Sequence, residues 1–139
     1  MRALTVHDPW TTAIARGVKP IENRKRPPPS TVTVPFEMAV HASVKPPSDR
    51  LMRQVMALWP GLAWNATFYP GHVIAVVDVV GWYWLRDRKT GNPWEMGPAC
   101  WELANVRTLA EPVPCRGQQG LWTLPADVEA AVRRQLGAV

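Results

Sequence analysis

The sequence has few of the residues that mark metal and cofactor sites. Its 139 residues include two cysteines and three histidines, without C-x-x-C or H-E-x-x-H spacing, so no metal site is predicted. No P-loop, G-x-G-x-x-G or G-x-S-x-G motif occurs either, so neither nucleotide-cofactor nor serine-hydrolase chemistry is indicated, and no cofactor is predicted. We expect Cys100 and Cys115 to be reduced packing residues of a cytosolic chain.

Long hydrophobic runs are also missing. The longest apolar stretch, residues 73–85, is interrupted by Asp78 and is too short to span a bilayer. The N-terminus has no apolar run that could act as a signal peptide, so we expect a cytoplasmic protein with no membrane partner. Apolar residues make up 47% of the chain, enough for a core, and the length predicts one domain over residues 1–139.

Positive charge is concentrated at the beginning of the chain. Residues 1–53 hold nine Lys/Arg and four Asp/Glu, whereas the charges of the remaining residues cancel. Within residues 16–26, five cations accompany a single carboxylate, Glu22. Such a localised basic surface is typical of a polyanion binder, and a solvated basic turn that aids solubility is the alternative.

Eight tryptophans are many for this length. We expect most of them to pack in the core with a partner for each indole N–H, while one or two beside the basic segment could stack on bases.

The periodicity predicts six strands and three short helices. The strands are predicted over 3–6, 21–24, 32–43, 72–85, 101–109 and 120–124. The first helix is predicted to begin with Asp8 as N-cap and to end at Gly17, the second to run from Ser48 to Trp59, and the third over 126–136. Pro35 indicates an edge position or a bulge for the third strand, whereas the strand over 72–85, apolar on both faces, should be central. Without regular βαβ alternation, the order predicts an α+β fold with a small curved sheet or barrel.

Three pieces of the sequence form a recognisable combination. Residues 4–10 read L-T-V-H-D-P-W, residues 17–24 read G-V-K-P-I-E-N-R, and residues 39–43 read A-V-H-A-S. Together they resemble the ASCH domain of the PUA-like superfamily, whose pattern is similar to L-x-x-x-x-P-W, G-x-K-x-x-E-x-R and an apolar residue before H-A-S. Residues 71–78 and 117–122 also resemble the family, so the likeness covers about residues 3–125, although 44–70 and 82–100 match nothing in it.

The resemblance implies a small PUA-like β-barrel with flanking short helices and a cleft lined by the G-x-K-x-x-E-x-R loop. Its implied ligand is RNA or a modified nucleotide, with DNA as a further possibility. In that role Lys19 supplies a cation, Arg24 a planar bidentate donor, and Glu22 an acceptor for an exocyclic amino group. The candidate nucleic-acid-binding residues are Trp10, Arg16, Lys19, Glu22, Arg24, Lys25, Arg26, His41 and Ser43.

Whether the protein is an enzyme stays open. Some small ASCH members hydrolyse N4-acetylcytidine, and Lys19 matches their lysine, but Glu22 stands where they carry a threonine. If the protein is an enzyme, Lys19 and Glu22 are the candidate catalytic residues, with Glu22 acting on water as a base. A ribonuclease would add Arg24 and His41. The alternative is that Lys19 and Glu22 form a plain surface ion pair.

A third hypothesis is a protein-interaction module of phage or mobile-element origin. The tryptophan-rich span from Trp82 to Trp101 could then form an exposed apolar patch for a partner.

Overall fold

The computed structural model describes residues 1–137. The predicted domain extends to residue 139, so its last two residues lie outside the described part. In chain order the elements are β1 (Arg2–Val6), α1 (Trp10–Ala15), β2 (Ile21–Arg24), β3 (Phe36–Ala42), α2 (Asp49–Leu58), β4 (His72–Trp84), β5 (Ala99–Pro114), β6 (Leu121–Thr123) and α3 (Ala126–Gln135). No helix within this part of the chain is long and apolar enough to cross a membrane.

All six strands form one mixed sheet in the order β2-β5-β4-β3-β1-β6. The β1–β3 pair is parallel and the other pairs are antiparallel. The sheet curls into a half-barrel flanked by three short helices, which confirms the predicted α+β class with a small curved sheet. The central position predicted for β4 is also confirmed. Of the two alternatives that Pro35 indicated for β3, the edge position is wrong, because β3 lies between β4 and β1, and its register irregularity lies between Val40 and His41 rather than at its start. The strand begins at Phe36, directly after Pro35, so the proline interrupts no ladder within it.

The curvature comes largely from the long β4–β5 pair. Its register shifts at three places, and each irregularity bends and twists the strands. Near one of them Asn105 adopts a positive φ of 52°, and its side chain donates to Asp78. β5 runs to Pro114, beyond the predicted end at residue 109, because these irregularities let it bend and continue pairing with β4.

Two hydrophobic clusters lie on the two faces of the sheet. Alternate side chains of the strands divide between them, so that Leu4 and Val40 pack in one cluster with Ile14 of α1. Ala39 packs in the other with Val132 of α3. The sheet is therefore covered on both faces. The packing of α1 against it also fixes where the chain enters β2.

The turn after α1 sets the position of β2. Gly17 adopts a φ of +75° and donates to the Ile14 carbonyl, while the N–H of Val18 reaches back to the Ala13 carbonyl. This pair of bonds is a Schellman motif, which confirms Gly17 as the residue that ends the helix. It directs the chain into the segment that carries Lys19.

At the other end of α1 the capping position is Pro9, not the predicted Asp8. The Asp8 carboxylate still accepts from the backbone N–H and the hydroxyl of Thr12, at 3.1 and 2.8 Å. Burial raises the pKa of Asp8 despite these bonds. In α2 the prediction is confirmed, because Ser48 is the N-cap and accepts from the N–H of Leu51.

The tryptophans of residues 82–101 are not exposed. Trp94 and Trp101 are buried, and Trp82 and Trp84 are half-buried and meet edge to face with their centroids 5.3 Å apart. The predicted tryptophan patch for a partner is therefore wrong, because these indoles pack on the protein itself. Trp64, at 53%, is the tryptophan that is exposed.

Candidate functional site

A cleft of about 1200 Å³ opens where the two edges of the curled sheet approach each other. One wall comes from β2, through Asn23 and Arg24, and from the segment that follows it, residues 25–29. The opposite wall comes from Leu121 of β6 and the loop before it, residues 116–120. Because β2 and β6 are the two end strands of the sheet, the cleft is the opening of the half-barrel.

The cleft is lined by cations and has no carboxylate. Four cationic side chains border it, namely Arg24, Lys25, Arg26 and Arg116. No Asp or Glu of residues 1–137 contributes to its lining. A concave site bordered by charge of one sign concentrates the field, so it attracts anionic ligands.

Arg24 is held in place by a buried carboxylate. Side chains of a strand alternate, so Glu22 and Arg24 lie on the same side of β2, as predicted. Arg24 Nη1 lies 3.6 Å from Glu22 Oε2, and the other carboxylate oxygen accepts from Lys19 Nζ at 2.9 Å. Lys19 also donates to the Ile21 carbonyl. Lys19 and Arg24 share the single carboxylate of Glu22, so the three side chains together carry one net positive charge. Arg24 is the member of this group that lines the cleft.

The structure brings five of the nine predicted site residues together in the cleft. They are Arg24, Lys25, Arg26, His41 and Ser43. The other four predicted residues are not among the lining residues. Lys19 and Glu22 are only 2% and 6% exposed, and they reach the cleft through Arg24. They form an ion pair, but a buried one, so the surface pair considered from the sequence is wrong.

Trp10 begins α1 and Arg16 directly follows its last residue, and both lie outside the cleft lining. The ring of Trp10 packs edge to face against Trp94, with centroids 6.0 Å apart, and Lys19 Nζ lies 5.7 Å from its centroid. Arg16 is exposed at the C-terminal end of the helix. The Pro-Trp piece of the sequence pattern thus packs the helix over the Lys19 segment.

His41 forms part of the cleft wall although it is only 1% exposed. Its Nε2 lies 2.6 Å from the Cys115 carbonyl oxygen, which can only accept, so Nε2 carries a proton. Its Nδ1 lies 3.1 Å from Thr5 Oγ1, and that hydroxyl also accepts from Trp122 Nε1 at 3.2 Å. Burial lowers the pKa of His41, which favours the neutral ring at neutral pH, and in that form Nδ1 accepts from the Thr5 hydroxyl.

Two further residues connect the cleft to the sheet. Trp101 is buried, lines the cleft, and donates from Nε1 to the Arg26 carbonyl at 2.9 Å. Asn23 uses its amide for the 94–97 turn: its oxygen accepts from the Met96 and Gly97 N–H groups, both at 2.8 Å. Asn23 therefore holds the 94–97 turn in place, while Trp101 fixes the segment after β2 that carries Lys25 and Arg26.

The sequence reasoning missed the wall formed by residues 116–120. Arg116, Gln118 and Gln119 line the cleft, as do Thr5 and His7. The available signal was a cation and two amides around the glycines of C-R-G-Q-Q-G, which overlaps the piece at residues 117–122 that resembles the family. A Cβ at Gly117 would lie 2.7 Å from His41 Cε1, so the loop approaches the wall as closely as only glycine allows.

Neither cysteine is positioned as a nucleophile. Cys100 is buried and Cys115 half-buried, and both are free thiols. Burial raises the pKa of each thiol, which disfavours the thiolate at neutral pH. Among residues 1–137 no group of three or more His, Cys, Asp or Glu is placed to hold a metal ion.

Comparison with solved structures gives the fold a name. The curled half-barrel with its three short helices is the ASCH-domain fold, of the PUA-like kind. The ASCH protein from Zymomonas mobilis matches with a TM-score of 0.61 at 11% identity, over 96% of this chain and 93% of that chain. A tyrosine-to-phenylalanine mutant of the same protein matches with a TM-score of 0.61 at 12% identity, over 96% of both chains. No family model and no curated protein matches the sequence.

Proposed function

We propose that the cleft binds nucleic acid, as RNA or a modified nucleotide, with DNA as a further possible ligand. The supporting observation is a concave opening bordered by four cations and no carboxylate of the described residues. Phosphates are the dominant anionic groups of nucleic acids, and neutralising them releases counterions. The ASCH fold agrees with this proposal.

The proposed roles follow from position. Arg24 and Arg116 border the cleft as planar donors that can bind a phosphate through two hydrogen bonds. Lys25 and Arg26 add charge along the same segment, while His41 and Ser43 belong to the wall. Glu22 acts through Arg24, which it holds and partly neutralises, while Lys19 acts on Glu22.

Nothing in the structure specifically favours the hydrolase or the ribonuclease. Lys19 and Glu22 are each other's partners and are outside the cleft lining. The two threonine hydroxyls of α1 are also engaged, because Thr11 donates to the Val6 carbonyl and Thr12 to Asp8. Binding is therefore the function proposed here. A cytoplasmic location stays part of the proposal, supported by the two free thiols.

The test is the salt dependence of binding to a labelled single-stranded RNA, followed by fluorescence anisotropy. The logarithm of the affinity should fall linearly with the logarithm of the salt concentration, by about 0.7 for each phosphate neutralised. Arg116→Ala and Lys25→Ala should each weaken binding and reduce that slope. Arg50→Ala is the matched control, since Arg50 is exposed on α2 and outside the cleft. Absence of binding at low salt, or equal effects of all three variants, would contradict the proposal.

A further inference from the structure

Two amide side chains in the cleft are left without partners. Gln118 and Gln119 line the cleft and are exposed, and neither amide makes a hydrogen bond to any of residues 1–137. Gln135 on α3 differs from them, because its amide both accepts from and donates to the backbone of Glu111. An amide offers a donor and an acceptor side by side, and the edge of a nucleobase can use both, whereas a phosphate only accepts and can use only the donor.

The loop that carries these amides is anchored at both ends. The Cys115 N–H donates to the Gly71 carbonyl at 2.9 Å, and the Cys115 carbonyl accepts from His41. Gly117 packs directly on His41 and Thr5. After Gly120 the chain enters β6, which pairs with β1. An anchored backbone sets where the two amides lie, so that less entropy is lost when they bind.

The two walls of the cleft differ in chemistry. The segment after β2 presents Lys25 and Arg26, whereas the opposite loop presents Gln118 and Gln119 beside Arg116. A strand lying between the walls can place phosphates on one side and base edges on the other. In a duplex the Watson–Crick edges of the bases face each other and the phosphates lie outside, so a concave site contacts mainly backbone.

We infer that Gln118 and Gln119 read the edges of unpaired bases, so that the ligand is a single-stranded nucleic acid and the two amides determine its base preference. This inference rests on the proposed function. The cations supply affinity that does not depend on the base, and the amides supply discrimination between bases.

The experiment measures the affinities of four single-stranded homopolymers of equal length, as RNA and as DNA, and of one duplex. The wild type should bind its preferred homopolymer at least about fivefold more tightly than the homopolymer it binds most weakly, which is the effect of one good amide–base contact. In Gln118→Ala/Gln119→Ala the four affinities should converge to within about twofold while the salt slope is retained. Lys25→Ala should weaken all four equally and reduce the slope. Gln54→Ala is the control, because Gln54 is an exposed glutamine on α2 outside the cleft.

The possible failures can be told apart. If no oligonucleotide binds, the proposed function fails, and this inference with it. If oligonucleotides bind but the wild type does not discriminate, if the double variant keeps the base preference, or if the duplex binds as tightly as the single strands, the inference is overturned and the proposed function stands. The RNA and DNA series show which sugar is preferred. Circular dichroism of the double variant verifies that it is folded.

Discussion

Lys19 Nζ lies 2.9 Å from Glu22 Oε1, and the second oxygen of the same carboxylate lies 3.6 Å from Arg24 Nη1. The two partners of the first contact are almost fully buried, and the third side chain reaches the cleft. A charge taken out of water needs a partner, so each of these residues requires the others. This explains the G-x-K-x-x-E-x-R spacing: Gly17 turns the chain, the buried pair anchors it, and Arg24 presents the charge.

Removing one member of the buried pair should destabilise the protein strongly. Lys19→Met leaves the Glu22 carboxylate buried with only the longer contact to Arg24, so we expect the free energy of unfolding to fall by about 3–5 kcal/mol. Lys19→Met/Glu22→Gln removes the stranded charge as well and should recover part of that loss. Urea denaturation measures both variants.

Lys89→Met is the control for the effect of the substitution itself, since Lys89 is exposed in the loop after β4. It should change the unfolding free energy by less than about 0.5 kcal/mol. A Lys19→Met variant as stable as this control would show that the pair contributes nothing to the fold.

His41 should make the stability depend on pH. Burial lowers the pKa of His41 in the folded protein below its ordinary value of 6.5, so the unfolded chain binds the proton more tightly. The contribution of this residue to stability is therefore complete above pH 6.5 and is lost as the pH falls through the folded pKa. The slope is at most about 1.4 kcal/mol per pH unit. Urea denaturation over this range measures it, and NMR of the ring should show the Nε2–H tautomer.

The variant His41→Gln should flatten this dependence, whereas His72→Gln should keep most of it, because burial is the largest cause of the lowered pKa of His41 and the charge of His72 a smaller one. His72 is half-buried at the start of β4 and bonds only to the nearby Pro70 carbonyl. Equal slopes in the wild type and His41→Gln would contradict the assignment to His41.

The parts of the fold that the sequence predicted are those governed by local rules. Gly17 ends α1 because a left-handed residue is needed there, and Ser48 caps α2 because its hydroxyl reaches a free N–H. The central position of β4 follows from its being apolar on both faces. The position of β3 in the sheet could not be predicted from local rules. Pro35 has the same local effect before an interior strand as before an edge strand, and it is the pairing with β1 that makes β3 an interior strand.

The prediction of the candidate site included residues of the β2 wall together with His41 and Ser43, but not the loop of residues 116–120. The two-residue spacing of Glu22 and Arg24 predicted that they lie on one side of a strand. The burial of Lys19 depends instead on how α1 packs, and the spacing of residues along the sequence does not show that packing. Arg116 and Gln118 are far away in sequence and reach the cleft because β6 closes the far edge of the sheet. The two edges of the sheet, β2 and β6, approach each other because the whole sheet is curled, and this curl is not set by any one segment of the sequence.

Gly117 should tolerate no side chain. In Gly117→Ala the new Cβ would lie 2.7 Å from His41 Cε1 and 2.9 Å from Thr5 Oγ1, so the loop must move away from the wall. We expect a loss of about 1–3 kcal/mol in unfolding free energy, as for other overpacked sites, and weaker binding of single-stranded RNA. Gly81→Ala is the matched control, because its Cβ would meet only the mobile end of the Glu102 side chain. Wild-type stability and affinity in Gly117→Ala would show that the loop has room to spare.

Trp101 should matter for binding through Arg26. Its indole N–H donates to the Arg26 carbonyl and so fixes the basic segment against β5. Trp101→Phe keeps an aromatic ring in the wall but removes this bond, worth about 1 kcal/mol, so we expect affinity for single-stranded RNA to fall about fivefold. The salt slope should change little, because the cations remain. Anisotropy titrations measure both quantities, with Trp64→Phe as the control because Trp64 is exposed and outside the cleft. If Trp101→Phe binds like the wild type, the placement of Arg26 does not limit binding.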